Sequence, residues 1–155
     1  MEVQYMRCDS SNEDFIENCR LLDQDLDRRV GKEIQRDKYK IYNQIDKIKE
    51  CMLVLVDGKI AGGGAIRAYN KEQVELKRVF VRNAFQGRGL GTGLVKALIS
   101  WATELGYQSM ILETGERLKE ALHVYEKLGF ERIQNYGPYV DMKESLCMEK
   151  KLGSD

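Results

Sequence analysis

The chain has 155 residues, of which 43% are apolar and 32% charged, a length and composition typical of one globular domain. Its 25 basic and 25 acidic residues leave it formally neutral, so it has little general attraction for nucleic acid and we expect no DNA or RNA partner. No run reaches the ~18 apolar residues that a membrane-spanning helix needs, and the first ten residues lack an apolar signal-peptide core. We therefore expect a cytoplasmic protein with no membrane partner.

The cysteines and the single histidine argue against a metal site and a nucleophilic triad. Cys8, Cys19, Cys51 and Cys147 share no metal-ligand or C-x-x-C spacing, so free buried thiols are expected in a cytosolic protein. His123 is the one histidine, and no nucleophile motif lies beside it. The sequence thus predicts no metal ligands.

The first third of the chain is predicted to form a strand and two helices. Residues 2–8 have the length of a short strand, and Ser10 begins a helix in which Glu13, three residues later, completes a capping box. The charged stretch from Asp25 to Lys32 is predicted to connect this helix to the second one. The second helix carries four isoleucines on one face: Ile34, Ile41, Ile45 and Ile48.

A hairpin and a third strand are predicted next. Asp57-Gly58 indicates a type I′ turn, because both central residues of that turn need positive φ. The glycine run 62–64 inside the second strand indicates a bulge or a close approach by another backbone. The strands are predicted over three ranges: 51–56, 60–69 and 73–82.

The second half alternates helices with strands. An apolar stripe from Leu90 to Leu105 predicts a helix that Gly106 ends, and a second helix over 116–128 ends at Gly129. Strands are predicted over 109–113, 130–135 and 145–152. The order βααβββαβαββ, without repeats or linkers, predicts a single mixed α/β domain over residues 1–155.

A glycine-rich segment, Gln86-Gly87-Arg88-Gly89-Leu90-Gly91-Thr92-Gly93, lies between a strand and a helix. A helix N-terminus offers unpaired N–H groups and about half a positive charge, and glycines let the backbone curl around an anion, so the segment can cradle a diphosphate. Its spacing fits neither the Walker G-x-x-x-x-G-K-[ST] loop nor the Rossmann G-x-G-x-x-G turn, which counts against a nucleotide-phosphate binder. From this segment alone, a glycine-rich turn without a ligand is equally compatible.

Two linked motifs carry a resemblance to a known family. Gln86-x-x-Gly89-x-Gly91 resembles the acetyl-CoA signature Q/R-x-x-G-x-G/A of the GNAT superfamily of N-acetyltransferases. The preceding VELKRVFV resembles the family's fourth strand, and ETGERLKEALHVYEKLGF its fifth strand and following helix; together they span about residues 73–133. The ETG segment and the tail YGPY…SLCMEK also resemble a bacterial subgroup of small-molecule acetyltransferases. The implied fold is a mixed, mostly antiparallel sheet splayed after strand 4 and flanked by helices.

The resemblance implies the cofactor side of a site. Backbone groups of Val79, Phe80 and Val81 are expected to pair with the pantetheine arm of acetyl-CoA like an extra strand, and the Val81 N–H to stabilise the oxyanion of a tetrahedral intermediate. Gln86 and the loop Gly87, Arg88, Gly89, Leu90, Gly91 and Thr92 are expected to hold the pyrophosphate; a solvated surface role for Arg88 stays open.

The catalytic residues implied by the resemblance are Tyr125, Glu113 and Glu75. Tyr125 would return a proton to the CoA thiolate, although its place on the helix's apolar stripe alone favours a core tyrosine. Glu113 is preferred to Glu75 as the base for the amine, and a water chain is the alternative. Leu118 departs from the family, which often has Asn or Gln seven residues before the tyrosine; this change removes a polar contact to the cofactor arm.

The implied reaction is direct transfer of acetyl from acetyl-CoA to a primary amine of a small molecule. A non-catalytic acyl-CoA sensor and a protein N-terminal acetyltransferase are the alternatives. The acceptor is expected between three segments: residues 25–31, where Asp25 and Asp27 could attract a cationic amine, the strand near Arg67, and residues 136–139. A solvated charge run is the simpler explanation for Asp25 and Asp27. Dimers are frequent in the family, so the resemblance also allows a homodimer.

Overall fold

The computed structural model describes residues 1–30, 47–115 and 118–153. In these ranges the chain forms seven strands and three α-helices. The strands are β1 (Val3–Cys8), β2 (Glu50–Val56), β3 (Lys59–Ala68), β4 (Gln73–Val81), β5 (Ser109–Gly115), β6 (Glu131–Ile133) and β7 (Ser145–Lys151). The helices are α1 (Glu13–Val30), α2 (Leu90–Glu104) and α3 (Lys119–Lys127).

The seven strands form one sheet in the order β1-β2-β3-β4-β5-β7-β6. Neighbouring strands are antiparallel except β4 and β5, which are parallel. The predicted mixed, mostly antiparallel sheet flanked by helices is therefore confirmed. The predicted second helix lies outside the described residues apart from Ile48, which is not helical but sits, buried, in the segment that leads into β2.

Two helical layers cover the two faces of the sheet. Along β2, Met52 and Val54 belong to the larger core beneath α2 and α3, whereas Cys51 and Leu53 belong to a smaller core beneath α1. This alternation follows from the two-residue period of a strand and explains why β2 is apolar on both faces. No helix in the described ranges is both long and apolar enough to cross a bilayer.

The start of α1 corrects the predicted capping box. Asn12, not Ser10, caps the helix, since its Oδ1 accepts a hydrogen bond of 3.0 Å from the Phe15 N–H. Ser10 instead bonds to Ile48 through both its N–H and its hydroxyl. The predicted connection from Asp25 is also wrong in part, because α1 continues to Val30.

The β2–β3 turn and the glycine run behave as predicted. Asp57 and Gly58 both have positive φ, 50° and 80°, in a two-residue turn. The register of β3 shifts next to the glycine run against β2, at Ala61, and within the run against β4, at Gly64. A Cβ on Gly62 would lie 2.5 Å from the Phe80 carbonyl oxygen, so this approach of two main chains requires glycine.

Candidate active site

The sheet opens between its two parallel strands. β4 and β5 pair only over Gln73–Ser109, Val74–Met110 and Glu75–Ile111. Beyond Glu75 neither strand pairs with the other, although β4 still pairs with β3 and β5 with β7. The second half of β4 therefore has one free edge, and the predicted splay after strand 4 is confirmed.

A β-bulge in β4 decides which main-chain groups face this opening. Ala65 pairs with Lys77 before the bulge and Gly63 with Phe80 after it, so two residues of β4, Arg78 and Val79, lie opposite one residue of β3. Adding one residue to a strand reverses the alternation of its N–H and C=O groups beyond that point. The bulge therefore changes which residues of β4 point away from β3.

The hydrogen bonds beyond the bulge give the direction of these groups. The Arg82 N–H donates to the Ala61 carbonyl at 2.8 Å, which makes Gly62 and Val81 a non-hydrogen-bonded pair. The N–H and C=O of Val81 consequently point away from β3 and toward the opening, as do those of Val79 two residues earlier. This is the geometry that an extended ligand needs to add to the sheet.

The glycine turn leads directly into α2. Gly87 and Gly89 have φ of 82° and 75°, a region that favours glycine, and a Cβ on either would meet no atom within 4 Å. Gly89 is the N-cap, and the Gly93 N–H makes the first helical bond, to the Gly89 carbonyl. No side chain in the described part of the chain caps α2. The amides at its N-terminus are thus available to an anion.

Gln86 braces the start of this turn. Its side-chain amide donates to the Val81 carbonyl at 2.9 Å and to Asn83 Oδ1 at 3.2 Å. The Arg88 guanidinium lies 5.5 Å above the ring of Phe85 and is exposed. Gln86 therefore ties the loop to the end of β4. Since the Val81 carbonyl accepts this bond, the Val81 N–H is the main-chain group of Val81 that stays available on the free edge.

One groove joins the glycine turn to the opening. It has a volume of about 280 Å³ and is mostly apolar. Its lining comes from the α1 residues Leu22, Asp25 and Leu26, the β4 residues 79–81, the turn and first residues of α2, and the α3 side from Leu118 to Tyr125. A single channel thus runs from a row of free amides to a buried phenol.

Tyr125 is one of the residues that line the groove. The residue is 8% exposed, and its ring packs edge-on against Phe130 with centroids 5.7 Å apart. Burial raises the pKa of Tyr125, and the negative charge of Glu113 raises it further. The hydroxyl therefore stays protonated at neutral pH and can donate a proton into the groove.

A group of ionisable side chains lies where β4 and β5 separate. The Tyr136 hydroxyl donates to Glu75 Oε2 at 2.7 Å, and Lys77 Nζ lies 3.9 Å from Glu75 Oε1. The Ser145 hydroxyl donates to Glu113 Oε2 at 2.9 Å. These contacts bring together residues from β4, β5, β7 and the loop before β7.

Burial sets the protonation of this group. It raises the pKa of Glu113 to about 7, against the opposing effects of the Ser145 hydrogen bond and the Lys77 charge. Burial also lowers the pKa of Lys77, although Glu75 and Glu113 favour its charged form. A carboxyl group whose pKa is near 7 is suited to accept a proton at neutral pH.

Asn135 shapes the loop that carries Tyr136. Its side-chain Nδ2 donates to the carbonyls of Tyr139, Met142 and Ser145 at 3.1, 3.2 and 3.1 Å. The loop therefore replaces the end of the predicted strand over 130–135, of which only Glu131–Ile133 is formed. The ring of Tyr136 is packed edge-on by Tyr139, at 5.7 Å.

The family model for the acetyltransferase (GNAT) family matches residues 15–130. That range covers the splay, the glycine turn, α2 and α3. The chain belongs to the GNAT acetyltransferase family. Among solved structures, a GNAT family acetyltransferase from Elizabethkingia anophelis with acetyl-CoA bound has the same fold, with a TM-score of 0.68 at 18% identity over 97% of this chain and 98% of that one.

Two further proteins agree with the family. A structure of a proposed acyl-CoA N-acyltransferase from Klebsiella pneumoniae has a TM-score of 0.80 at 22% identity, covering 97% of this chain and 98% of that one. The uncharacterized N-acetyltransferase YjgM of Escherichia coli is 34% identical over 98 residues, 61% of this chain and 58% of that protein. The chain therefore spans less than two-thirds of the length of that curated relative.

Within this GNAT fold, the sequence-predicted residues fall into two sets. Val79, Phe80, Val81 and most of the glycine turn line the groove with Tyr125, whereas Glu75 and Glu113 lie with the ionisable group at the splay. Asp25 lines the groove and forms an ion pair with Arg28 at 2.9 Å.

Two residues of this ionisable group, Lys77 and Ser145, were not predicted from the sequence. Lys77 carried a usable signal, because it follows Glu75 by two residues in a strand and so shares its face. Ser145 carried none, since its partner Glu113 is 32 residues away. In the described part of the chain, no group of three or more His, Cys, Asp or Glu side chains is arranged to hold a metal ion.

Proposed function

We propose that this GNAT acetyltransferase moves the acetyl group of acetyl-CoA to a primary amine of a small molecule. The observation that carries the proposal is the continuous groove from the uncapped N-terminus of α2, past the free edge of β4, to Tyr125. The amides at the start of α2 suit an anion, and the free edge of β4 suits an extended polar arm. The Tyr125 phenol suits a leaving group that needs a proton. Acetyl-CoA contains these three parts in the same sequence.

The residues of the chain can carry each proton and charge of the transfer. The amine nitrogen attacks the thioester carbonyl, so that a C–N bond forms and the C–S bond breaks. The Val81 N–H stabilises the oxyanion, Glu113 accepts the proton that the amine loses, and Tyr125 gives its proton to the departing thiolate. No covalent bond to the protein is needed, which suits a site built on alignment of two substrates.

Glu113 is preferred to Glu75 as the base for a structural reason. The carboxylate of Glu75 already accepts a hydrogen bond from Tyr136 and lies beside Lys77, so both of its oxygens have polar neighbours. Glu113 has a raised pKa and lies close enough to Tyr125 for its charge to act there. Glu75 then positions Tyr136 and Lys77 at the acceptor side.

The decisive experiment separates an enzyme from an acyl-CoA sensor. A panel of small primary amines and of peptides with free N-termini is assayed with acetyl-CoA by the release of thiol, and CoA binding is measured by calorimetry. We expect turnover with a small amine, and for Tyr125→Phe a kcat lower by roughly 10²- to 10⁴-fold with CoA binding retained. CoA binding without turnover on any amine would support the sensor, and turnover on peptides alone would support N-terminal acetylation.

Three broader statements stay predictions. A single N-acetyltransferase domain over residues 1–155 and a cytoplasmic location are expected from the resemblance and the composition, and the resemblance allows a homodimer. Light scattering of the purified chain tests the homodimer.

A further inference from the structure

Arg78 has a backbone conformation that its residue type disfavours. Its φ is 60°, in the left-handed region, and it lies inside β4 rather than in a turn. Only 3% of its side chain is exposed. A left-handed non-glycine residue within a strand persists only when the surrounding structure holds it there.

The contacts of the Arg78 side chain identify what holds it. Nη2 donates to the Cys19 carbonyl of α1 at 3.0 Å and to Asp23 Oδ1 at 2.7 Å. Nε is buried with no hydrogen-bond partner among the described residues. A buried guanidinium with an unpaired N–H costs stability, so the place of Arg78 is explained by what its other N–H groups do, which is to tie the bulge to α1.

The consequence of this tie follows from the register of β4. Without the extra residue at Arg78 and Val79, the alternation established by Val74 and Leu76 would continue, and Phe80 instead of Val81 would face the opening. With it, the main-chain groups of Val79 and Val81 face the groove. The conformation of one residue therefore selects which amides are presented to the ligand.

We propose that Arg78 is a positioning residue, which locks the β4 bulge to α1 through Asp23 and the Cys19 carbonyl and so aims the Val79 and Val81 main chain at the acyl-CoA arm. The inference rests on the proposed function, because the aimed groups matter only if an acyl-CoA lies in the groove.

The first test needs no substrate. Arg78→Gly keeps the left-handed conformation accessible but removes the anchor, and Arg78→Ala removes both. In the substrate-free protein, we expect both variants to shift the amide NMR signals of Val79 and Val81 and to speed their hydrogen exchange. Arg20→Ala is the matched control. It breaks an exposed ion pair with Glu17 on α1, the helix to which Arg78 is bonded. Wild-type signals in Arg78→Gly would overturn the anchor.

The second test is kinetic. We expect kcat/KM for acetyl-CoA to fall roughly a hundredfold in Arg78→Gly, since a displacement of about 1 Å in a reacting geometry has that effect, with the KM of the amine unchanged. Asp23→Ala removes a half-exposed partner of Arg78 and leaves the core intact, so its kcat/KM for acetyl-CoA should fall about tenfold. An equal rise in the KM of both substrates, or no change in either variant, would contradict a positioning role.

The two readouts separate this inference from the proposed function. If the wild-type chain neither binds CoA nor acetylates any amine, the proposed function fails while the amide signals still report whether Arg78 sets the bulge. If the wild type is active and the Arg78 variants keep its amide signals and its KM for acetyl-CoA, the positioning role fails alone.

Discussion

The two sides of the proposed site are built in different ways. The cofactor side uses main-chain groups from one stretch of chain, the end of β4, the glycine turn and the start of α2. The acceptor side uses side chains from β4, β5, β7 and the loop before β7, which contact each other across up to 61 residues of sequence. The first depends on backbone conformation, whereas the second depends on burial.

This difference explains how each side can be altered. A main-chain site changes little when a neighbouring side chain is replaced, but it fails when a glycine or a bulge is lost. A side-chain site can be retuned one residue at a time, because each substitution changes a single charge or hydrogen bond. Under the proposed function, side-chain substitutions on the acceptor side should therefore change acceptor specificity without changing acetyl-CoA recognition.

The largest expected effect comes from placing a charge among the amides. Gly91→Asp adds a carboxylate at the second residue of α2, where it would repel a diphosphate and accept the free N–H groups itself. At an effective dielectric constant of ~20, one like-charge contact at ~4 Å costs about 4 kcal/mol, so CoA binding should weaken on the order of 10³-fold in calorimetry.

The same charge placed elsewhere on α2 provides the control. Ser100 is exposed nine residues further along the helix. Ser100→Asp should leave CoA affinity within about twofold of wild type, because surface charges beyond a Debye length of about 10 Å are screened. An equal loss of CoA affinity in both variants would mean that net charge causes the effect, and would contradict a diphosphate site at the turn.

A smaller effect is expected on the acceptor side, at Glu113. As the base, Glu113 must be ionised, so kcat/KM for the amine should rise with pH up to about 7 and then level off. Glu113→Gln should lower kcat by roughly 10²-fold, abolish this acid limb and leave CoA binding unchanged. A limb that survives in Glu113→Gln but disappears in Glu75→Gln would assign the base to Glu75.

The raised pKa of Glu113 also has a consequence for stability. The folded state holds this proton more tightly than the unfolded state, whose pKa is near 4.5, so the stabilisation is full below pH 4.5 and is lost as pH rises through about 7. Glu113→Gln avoids that loss. As the pH rises from 5 to 8, the free energy of unfolding of Glu113→Gln should therefore increase relative to that of the wild type by on the order of 3 kcal/mol, as measured by denaturant unfolding.

The cofactor side could be predicted from the sequence better than the acceptor side, because it is built from one continuous stretch of chain. The glycine turn and the strand that borders it depend on local spacing, which a single sequence displays, whereas the splay was expected only from the family resemblance. The Tyr136–Glu75 and Ser145–Glu113 contacts depend on tertiary neighbours, and no spacing predicts them. The bulge is intermediate: the glycines of β3 predicted an irregularity, but the arginine that sets it on β4 has an ordinary strand pattern.

The smallest expected effect concerns the hydroxyl of Tyr136. Tyr136→Phe keeps the ring, which packs against Tyr69 at 5.3 Å and against Tyr139, and removes only the hydrogen bond to Glu75. A hydrogen bond to a charged group contributes about 1.5–3 kcal/mol, but Glu75 keeps Lys77 as a neighbour, so we expect the KM of the amine to rise by roughly 3- to 10-fold. Tyr69→Phe, at an exposed ring in the same cluster, is the matched control and should change the KM of the amine little.

Because the cofactor side is main chain and separate from this cluster, the KM of acetyl-CoA should not change in either variant. A matching rise in the KM of acetyl-CoA for Tyr136→Phe would mean that the two sides are coupled through Glu75 and β4, and that their division into independent halves is wrong.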